Sequence, residues 1–531
     1  MLTKDELFKT GDQKQIWQKY CGFLNLSLKD WMYIQEQLLL EQIEIFSGSQ
    51  LAKTLMSRKP TDVSEFRRIV PLTTFDDYAD YLKEDNDDIL TLRPYCWCHT
   101  SGRGGTFKWV PYTDRAIENF TQLAVAMLIL ACATRKGEVN IGMGMRMLQN
   151  LPPPPYMAGI ISRLLDEYME ARTIPPLDEY EDVDFQRKIE DGFKIALRTG
   201  TDMLTSLTSV LVKMGESFTD KSRQFKFSPS MLHPQTMWRL IRAIFISKRE
   251  GRILLPKDLW PLKGLVCYGT DTGIYKEKLV YYWGKQPYET YAATEAGVIA
   301  MQAWNKKNMT LVPYSCFLEF IHESELDKSQ QGINYQPSTM LIDEVTPGER
   351  YEIVITSFYG MPFLRYRLGD IVRIVALEDK ETGINLPQMV FETRADDIID
   401  IAGFPRLDEK TIWQAIVNSE IAFEEWTARK EYEQNEPILR IYIELKEERN
   451  VSEMEKLMHQ ELLALNRDYK DAESMLGMRP LRITTLPQGS FQRYLEKKQK
   501  AGYDLAHWKP RHINASDTVI QDLLKPNTNP S

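Results

Sequence analysis

The chain has 531 residues, too many for one ordinary hydrophobic core, so two to four structural units are expected. With 43% hydrophobic residues, 28 Gly and 27 Pro, its composition is that of a folded globular protein. A net charge of −9 argues against a dedicated nucleic-acid binder and requires that any bound anion be gripped by a local site.

The N-terminal stretch MLTKDELFKTGDQKQ is charged and carries no apolar signal segment. Residues 13–57 have apolar positions at helical spacing, among them Trp17, Tyr20, Phe23, Leu24, Leu39, Ile43 and Phe46. A helix over 114–135 is capped by Thr113 or Asp114. Its run Leu123 to Ala133 is the most apolar in the chain, but a bilayer span needs about 20 residues, so this reads as a buried helix. Pro152 to Pro155 must be extended. Helices are expected over 184–218 and 234–249.

From Gly264 onward the pattern changes to short apolar runs bounded by turns: 265–268, 351–358, 371–375 and 389–393. Their β-branched and aromatic content predicts strands and an α/β core. After Arg394–Phe404 come a helix (408–420), a strand (437–445), a helix (452–468), a strand (479–486) and a helix (490–500), a compact α+β unit. The polar tail beyond 515 reads as disordered. The six Cys form no zinc pattern, and the six His are dispersed. Both fit reduced thiols in the cytosol and argue against a His-rich metal site.

Four segments carry chemistry. His99–Lys108 reads HTSGRGGTFK, with glycines that let backbone N–H groups approach a ligand, three hydroxyls and one lysine. That suits polyphosphate, although the spacing is not that of a P-loop and an ordinary turn has the same composition. In Tyr291-Ala-Ala-Thr-Glu295-Ala-Gly297, Glu295 can face a hard cation, or Thr294 can cap a helix that begins there. In Arg365-Tyr-Arg-Leu-Gly-Asp370, an Asp after a Gly turn can accept bonds from vicinal hydroxyls, or close an Asx turn beside a surface Arg pair. Arg394-Ala-Asp396-Asp397 opens a linker.

In this order the segments resemble the acyl-adenylate-forming superfamily, and the intervening text is similar to the auxin-responsive Gretchen Hagen family of acyl acid-amido synthetases. The stretches that carry the likeness include YGTDTGIYKEKLVYYWG (268–284), VPYSCFLEFI (312–321), GERYEIVITSFYGMPFLRYRLGDIVRI (348–374), PLRITTLPQGSF (480–491) and GYDLAHWKPRH (502–512).

The resemblance implies an α/β fold with a large N-terminal adenylate-forming domain of mixed sheets and helices (1–394). A hinge (395–403), a small mobile α+β C-terminal domain (404–515) and a polar tail (516–531) would follow. Thr100, Ser101, Gly102, Arg103, Gly104, Gly105, Thr106 and Lys108 would hold the phosphates of ATP. Arg103 departs from the family's Thr, and either ligates phosphate or is a tolerated turn residue. Tyr291, Ala292, Ala293 and Thr294 would line the adenylate, and Glu295 would hold Mg²⁺. Asp370 would bind the ribose, with Arg394 beside it.

Lys509 would swing in with the small domain, although Lys497, Lys498 and Lys500 compete for that role. Lys108, Glu295 and Lys509 are thus the catalytic candidates. The acyl pocket is expected near Trp109, Met203, Leu207, Met214 and Thr270, each of which is equally readable as core. The implied partners are a small carboxylic acid and an amine or amino acid, with no nucleic acid and no membrane, for a cytoplasmic monomer. An acyl-CoA ligase or a non-catalytic nucleotide- or acid-binding homologue remains open.

Overall fold

Helix Asp114–Cys132 sits between two sheets, and every residue from Leu123 to Cys132 is buried. A helix apolar on all sides needs neighbours on all sides. Here they are the helices Gln13–Cys21 and Met157–Met169 and the strands Gly264–Tyr268 and Gly297–Gln302. Thr113 is its N-cap, accepting from the amide of Ala116. At its far end Gly264 is required: a Cβ there would lie 2.8 Å from Cys132 Sγ and 3.1 Å from the Ala131 carbonyl. This computed structural model describes residues 7–83, 86, 89–100, 108–180, 183, 185–223, 233–268, 272–329, 335–394, 398–401, 405–500 and 512–525.

One sheet has four parallel strands, in the order Arg172–Ile174, Arg146–Asn150, Met203–Leu207 and Gly264–Tyr268. The expected single helix over 184–218 is in fact a helix (Phe185–Thr199), the strand Met203–Leu207 and a second helix (Thr208–Arg223). Gly200 ends the first helix with φ +83°, and its amide bonds to the Ala196 carbonyl. Helix Pro234–Arg249 lies where the periodicity placed it.

The second sheet has seven antiparallel strands. Their order is Cys316–His322, Arg350–Ser357, Tyr366–Ala376, Gln388–Arg394, Met309–Leu311, Gly297–Gln302 and Thr290–Ala293.

The C-terminal unit has its own core, built on Trp426, Ile441, Ile443, Met454, Met458 and Leu462. Its sheet pairs Phe423–Glu433 with Glu436–Leu445, and the latter runs parallel to Leu481–Leu486. The first of these strands went unpredicted because its outward positions are charged, and those charges pair locally: Arg429 with Glu431, and Arg440 with Glu433. The expected disordered tail is partly wrong. Residues Asp517–Leu523 form a helix whose Ile520 and Leu523 pack with Leu486, Phe491 and Tyr494.

Candidate active site

The phosphate-loop candidate is flanked by two paired strands. Strands Cys96–Thr100 and Lys108–Tyr112 pair antiparallel, and Thr100 lies directly opposite Lys108. Ser101, Gly102, Arg103, Gly104, Gly105 and Thr106 fall outside the described residues. Lys108 Nζ donates to the Tyr366 hydroxyl at 3.4 Å and stands 4.6 Å above the Phe75 ring. At the other end of the same strand, Tyr112 donates to the Thr294 carbonyl at 2.5 Å. The strand pair is thereby anchored to both of the other motifs.

Glu295 is not in a helix. Thr290–Ala293 and Gly297–Gln302 form a hairpin, with Glu295 in its turn and Gly297 at φ +79°. The helix-cap reading of Thr294 is therefore overturned. The turn is pinned by its backbone, since Ser357 Oγ donates to the Glu295 carbonyl at 2.7 Å and the Ala296 amide bonds to Ala293. The Glu295 carboxylate is half-buried and has no partner among the described residues. Tyr112 reports its proximity: burial first, then the nearby Cys98 and Glu295, hold the Tyr112 hydroxyl well above its usual range.

Asp370 lies in a bulge, not in a turn. Glu352 pairs with Ile371 and Val354 with Arg367, so the strand Tyr366–Ala376 carries extra residues between those two pairs. Gly369, at φ +74°, supplies the kink that re-aims Asp370. Asp370 is buried and accepts a 2.7 Å hydrogen bond from the Tyr291 hydroxyl. On its other side it is the register partner of Arg394.

The expected surface pair Arg365 and Arg367 is a correction. Arg365 is buried, with Nε and Nη2 on the two oxygens of Glu319 at 3.0 and 2.9 Å and Nη1 on the Arg67 and Val70 carbonyls. Arg367 forks onto the buried Glu352. Both are positioning residues that fix the chain leading into Asp370. Their motif gave no sign of this, because the partners lie far away in sequence.

The acyl-pocket candidates separate. Met203 begins its strand and is fully buried, whereas Leu207 ends it, about 13 Å away at ordinary strand rise, so they do not share a pocket. Met203 is core. Leu207 is half-buried opposite Tyr268, and Met214 is half-buried with its sulfur 3.4 Å from Asn150 Nδ2. Trp109 is half-buried on the strand Lys108–Tyr112, and Thr270 lies outside the described residues.

The carboxyl ends of parallel strands are where such sheets receive ligands. Two polar atoms missed by sequence reasoning sit there: Asn150 Oδ1 and Ser206 Oγ, register partners, both fully buried and without a hydrogen-bond partner among the described residues. Nothing in their local sequence distinguishes them.

A nearby cavity of about 10 Å³, walled by Pro152, Pro153, Arg163 and Lys188, has room for about a water molecule and not for a substrate. Burial pushes the Lys188 ammonium below its usual range.

Lys509 and the segment around it lie outside the described residues. Of its competitors, Lys497 is engaged with Asp522 at 2.5 Å. Just beyond that segment His512 is held by Glu409 at 2.6 Å and Glu425 at 2.9 Å, and its ring stacks on Trp426. Its carbonyl accepts from the Ala428 amide.

The sequence profiles of the GH3 family N-terminal, central and C-terminal domains match residues 21–152, 309–394 and 410–517, together more than half of the chain. A jasmonoyl-L-amino acid synthetase of Nicotiana attenuata is 23% identical over 449 residues, covering 75% of this chain and 74% of the relative. Among solved structures, the acyl acid amido synthetase AtGH3.15 in complex with 2,4-DB is 17% identical. It covers 98% of this chain and 97% of that one, with a TM-score of 0.52. A 2-hydroxyisobutyryl-CoA ligase in complex with 2-HIB-AMP and CoA is 12% identical, covers 89% and 92%, and has a TM-score of 0.54. These structural likenesses establish the fold: a large N-terminal domain and a small C-terminal one.

Proposed function

The chain belongs to the GH3 family, and on that premise we propose that it is an ATP-dependent acyl acid-amido synthetase. The observation that carries this reading is the convergence of three motifs on one place. Tyr112 ties the Lys108 strand to the Glu295 turn, Lys108 reaches Tyr366, and Tyr291 reaches Asp370.

In the first half-reaction a substrate carboxylate attacks the α-phosphorus of ATP. The bond to the β-phosphate breaks and pyrophosphate leaves. Lys108 offsets the charge that accumulates as two anions meet. Asp370, already an acceptor for Tyr291, is placed to accept from ribose hydroxyls. In the second half-reaction an amine attacks the acyl carbon of the mixed anhydride, AMP leaves, and the amine's proton passes to solvent. The Nicotiana relative, named as a jasmonoyl-L-amino acid synthetase, supports an amino acid as acceptor.

Among the described residues no three His, Cys, Asp or Glu cluster to make a metal cage. The single half-buried Glu295 carboxylate instead fits a Mg²⁺ that arrives on the triphosphate and takes one protein ligand. When bound, that ion would neutralise charge on the phosphate oxygens.

Rotation of the small domain about 395–403, which would bring Lys509 to the phosphates, belongs to the same proposal, as do the monomeric state and the cytoplasmic location.

The test is ATP–pyrophosphate exchange over a panel of carboxylic acids with Mg²⁺, followed by mass spectrometry of products formed with mixed amino acids. Exchange with at least one acid and an amide product are expected. Exchange with none sinks the proposal, and a product that forms only with coenzyme A reassigns the acceptor.

A further inference from the structure

Helix Pro234–Arg249 packs Thr236, Leu240, Ala243 and Ser247 inward. A face directly opposite a buried stripe is ordinarily polar. Here it holds Trp238, Ile241 and Phe245, which are 63%, 63% and 67% exposed, with Met237 at 40% beside them. Four long apolar side chains in solvent within about two and a half turns of one helix make a contiguous patch of the kind that marks an interaction surface.

The charges decide between partners. The helix carries Arg239, Arg242, Lys248 and Arg249 and no acidic residue, in a chain whose net charge is −9. Arg239 is occupied, donating to the Leu197 carbonyl at the end of the neighbouring helix. The other three are exposed and flank the apolar crown on both sides, at positions 242 and 249 on one edge and 248 on the other. Arg242 lies against the face of Trp238, 5.8 Å from the ring centroid. The nearest following acid, Glu250, is already paired with Arg252 at 2.6 Å.

We propose that this helix face docks on an anionic lipid surface, with Trp238, Ile241 and Phe245 entering the interface and Arg242, Lys248 and Arg249 meeting phosphate headgroups. An apolar crown with aromatic residues, rimmed by cations and parallel to the protein surface, is the physical requirement for a helix that lies in a bilayer interface without crossing it. Among the described residues the helix long and apolar enough to cross a bilayer, Asp114–Cys132, is 72% buried inside the protein, which does not bear on attachment to a membrane surface. Attachment would place the enzyme where apolar carboxylic acids partition.

The experiment is co-sedimentation of the full-length protein with vesicles of phosphatidylcholine and phosphatidylserine, or of phosphatidylcholine alone, at low and high salt. Binding to the anionic vesicles that weakens with salt is expected. Two variants, W238S/I241S/F245S and R242E/K248E/R249E, should each lose binding by about tenfold or more while keeping the wild-type melting temperature, since every altered side chain is exposed. The proposal is overturned if the wild type does not sediment with anionic vesicles, if it binds phosphatidylcholine alone equally well, or if the variants bind unchanged. It is also overturned if light scattering shows a dimer that the W238S/I241S/F245S variant dissociates, because a second copy of the chain would then cover the face.

Discussion

The hydroxyl of Tyr291 donates to the carboxylate of Asp370 at 2.7 Å, although three strands lie between theirs in the sheet order. In a flat sheet four strand spacings would hold them about 19 Å apart. The seven-stranded sheet is therefore curled until its Thr290–Ala293 edge faces the strand Tyr366–Ala376. That curvature brings the Glu295 turn and Asp370 into one site. Tyr291 packs against Phe391, 6.0 Å between centroids, on the inside of the curl.

Asp370→Ala should reduce ATP–pyrophosphate exchange by about two orders of magnitude or more, because it removes the proposed ribose acceptor and leaves Tyr291 without its buried partner. Tyr291→Phe should raise the KM for ATP by about tenfold with a smaller change in kcat, as expected for a residue that aims Asp370 and touches no reacting atom. Equal loss of kcat in both variants would mean that Tyr291 does more than position.

Glu295→Gln keeps the shape of the turn, since its hydrogen bonds run through the backbone of Ala293 and Glu295. The Mg²⁺ concentration for half-maximal exchange should rise by about tenfold or more, with an unchanged melting temperature. An unaltered Mg²⁺ dependence would remove Glu295 from the metal.

Arg365→Ala takes the two-pronged partner from the buried Glu319 carboxylate, which among the described residues keeps only Arg67 at 3.4 Å and the Thr339 hydroxyl, and removes a donor from the Arg67 and Val70 carbonyls. Removing one partner of a buried ion pair costs about 3–5 kcal/mol, and denaturant unfolding should show a loss of that order. Arg365→Lys should recover little of it, because one ammonium cannot span both carboxylate oxygens and the Arg67 and Val70 carbonyls together. A loss below about 1 kcal/mol would show that the network is relaxed in solution.

His512 links pH to the C-terminal unit. Burial alone would lower its pKa, but the hydrogen bonds to Glu425 and Glu409 outweigh burial and raise it above the ordinary 6.5. A raised value means that protonation favours the folded state. The contribution is complete below about pH 6.5 and is lost as pH rises through the higher folded value. Melting temperature should fall from neutral toward alkaline pH in the wild type, and that slope should flatten in His512→Gln. A slope unchanged by the substitution would assign the effect elsewhere.

Much of this protein is legible in order along the chain. The buried helix was readable from Leu123 to Ala133 because eleven consecutive apolar residues have no solvent face. The helix over 234–249 was readable from its periodicity, and the strand over 265–268 from its short apolar run, LVCY, bounded by turn residues. The strand at 203–207 was hidden, since MLTSL between two helical patterns has no period of its own. The strand at 423–433 was hidden by its charged outer face.

The candidate site divides in the same way. Its residue types and their order (Lys108, then Glu295, then Asp370, then Arg394) belong to the sequence, because the proposed binding of a triphosphate, a cation and a ribose calls for such groups and local motifs carry them. Their roles in space did not follow from it. Only the tertiary structure decided that Glu295 stands in a hairpin turn, that Asp370 is aimed by a bulge and held by Tyr291, that Arg365 is sunk against Glu319, and that Met203 is core. The reason is physical: sheet curvature, bulge placement and buried ion pairs arise from contacts between residues tens to hundreds of positions apart, and no local pattern of side chains encodes which distant strand will arrive.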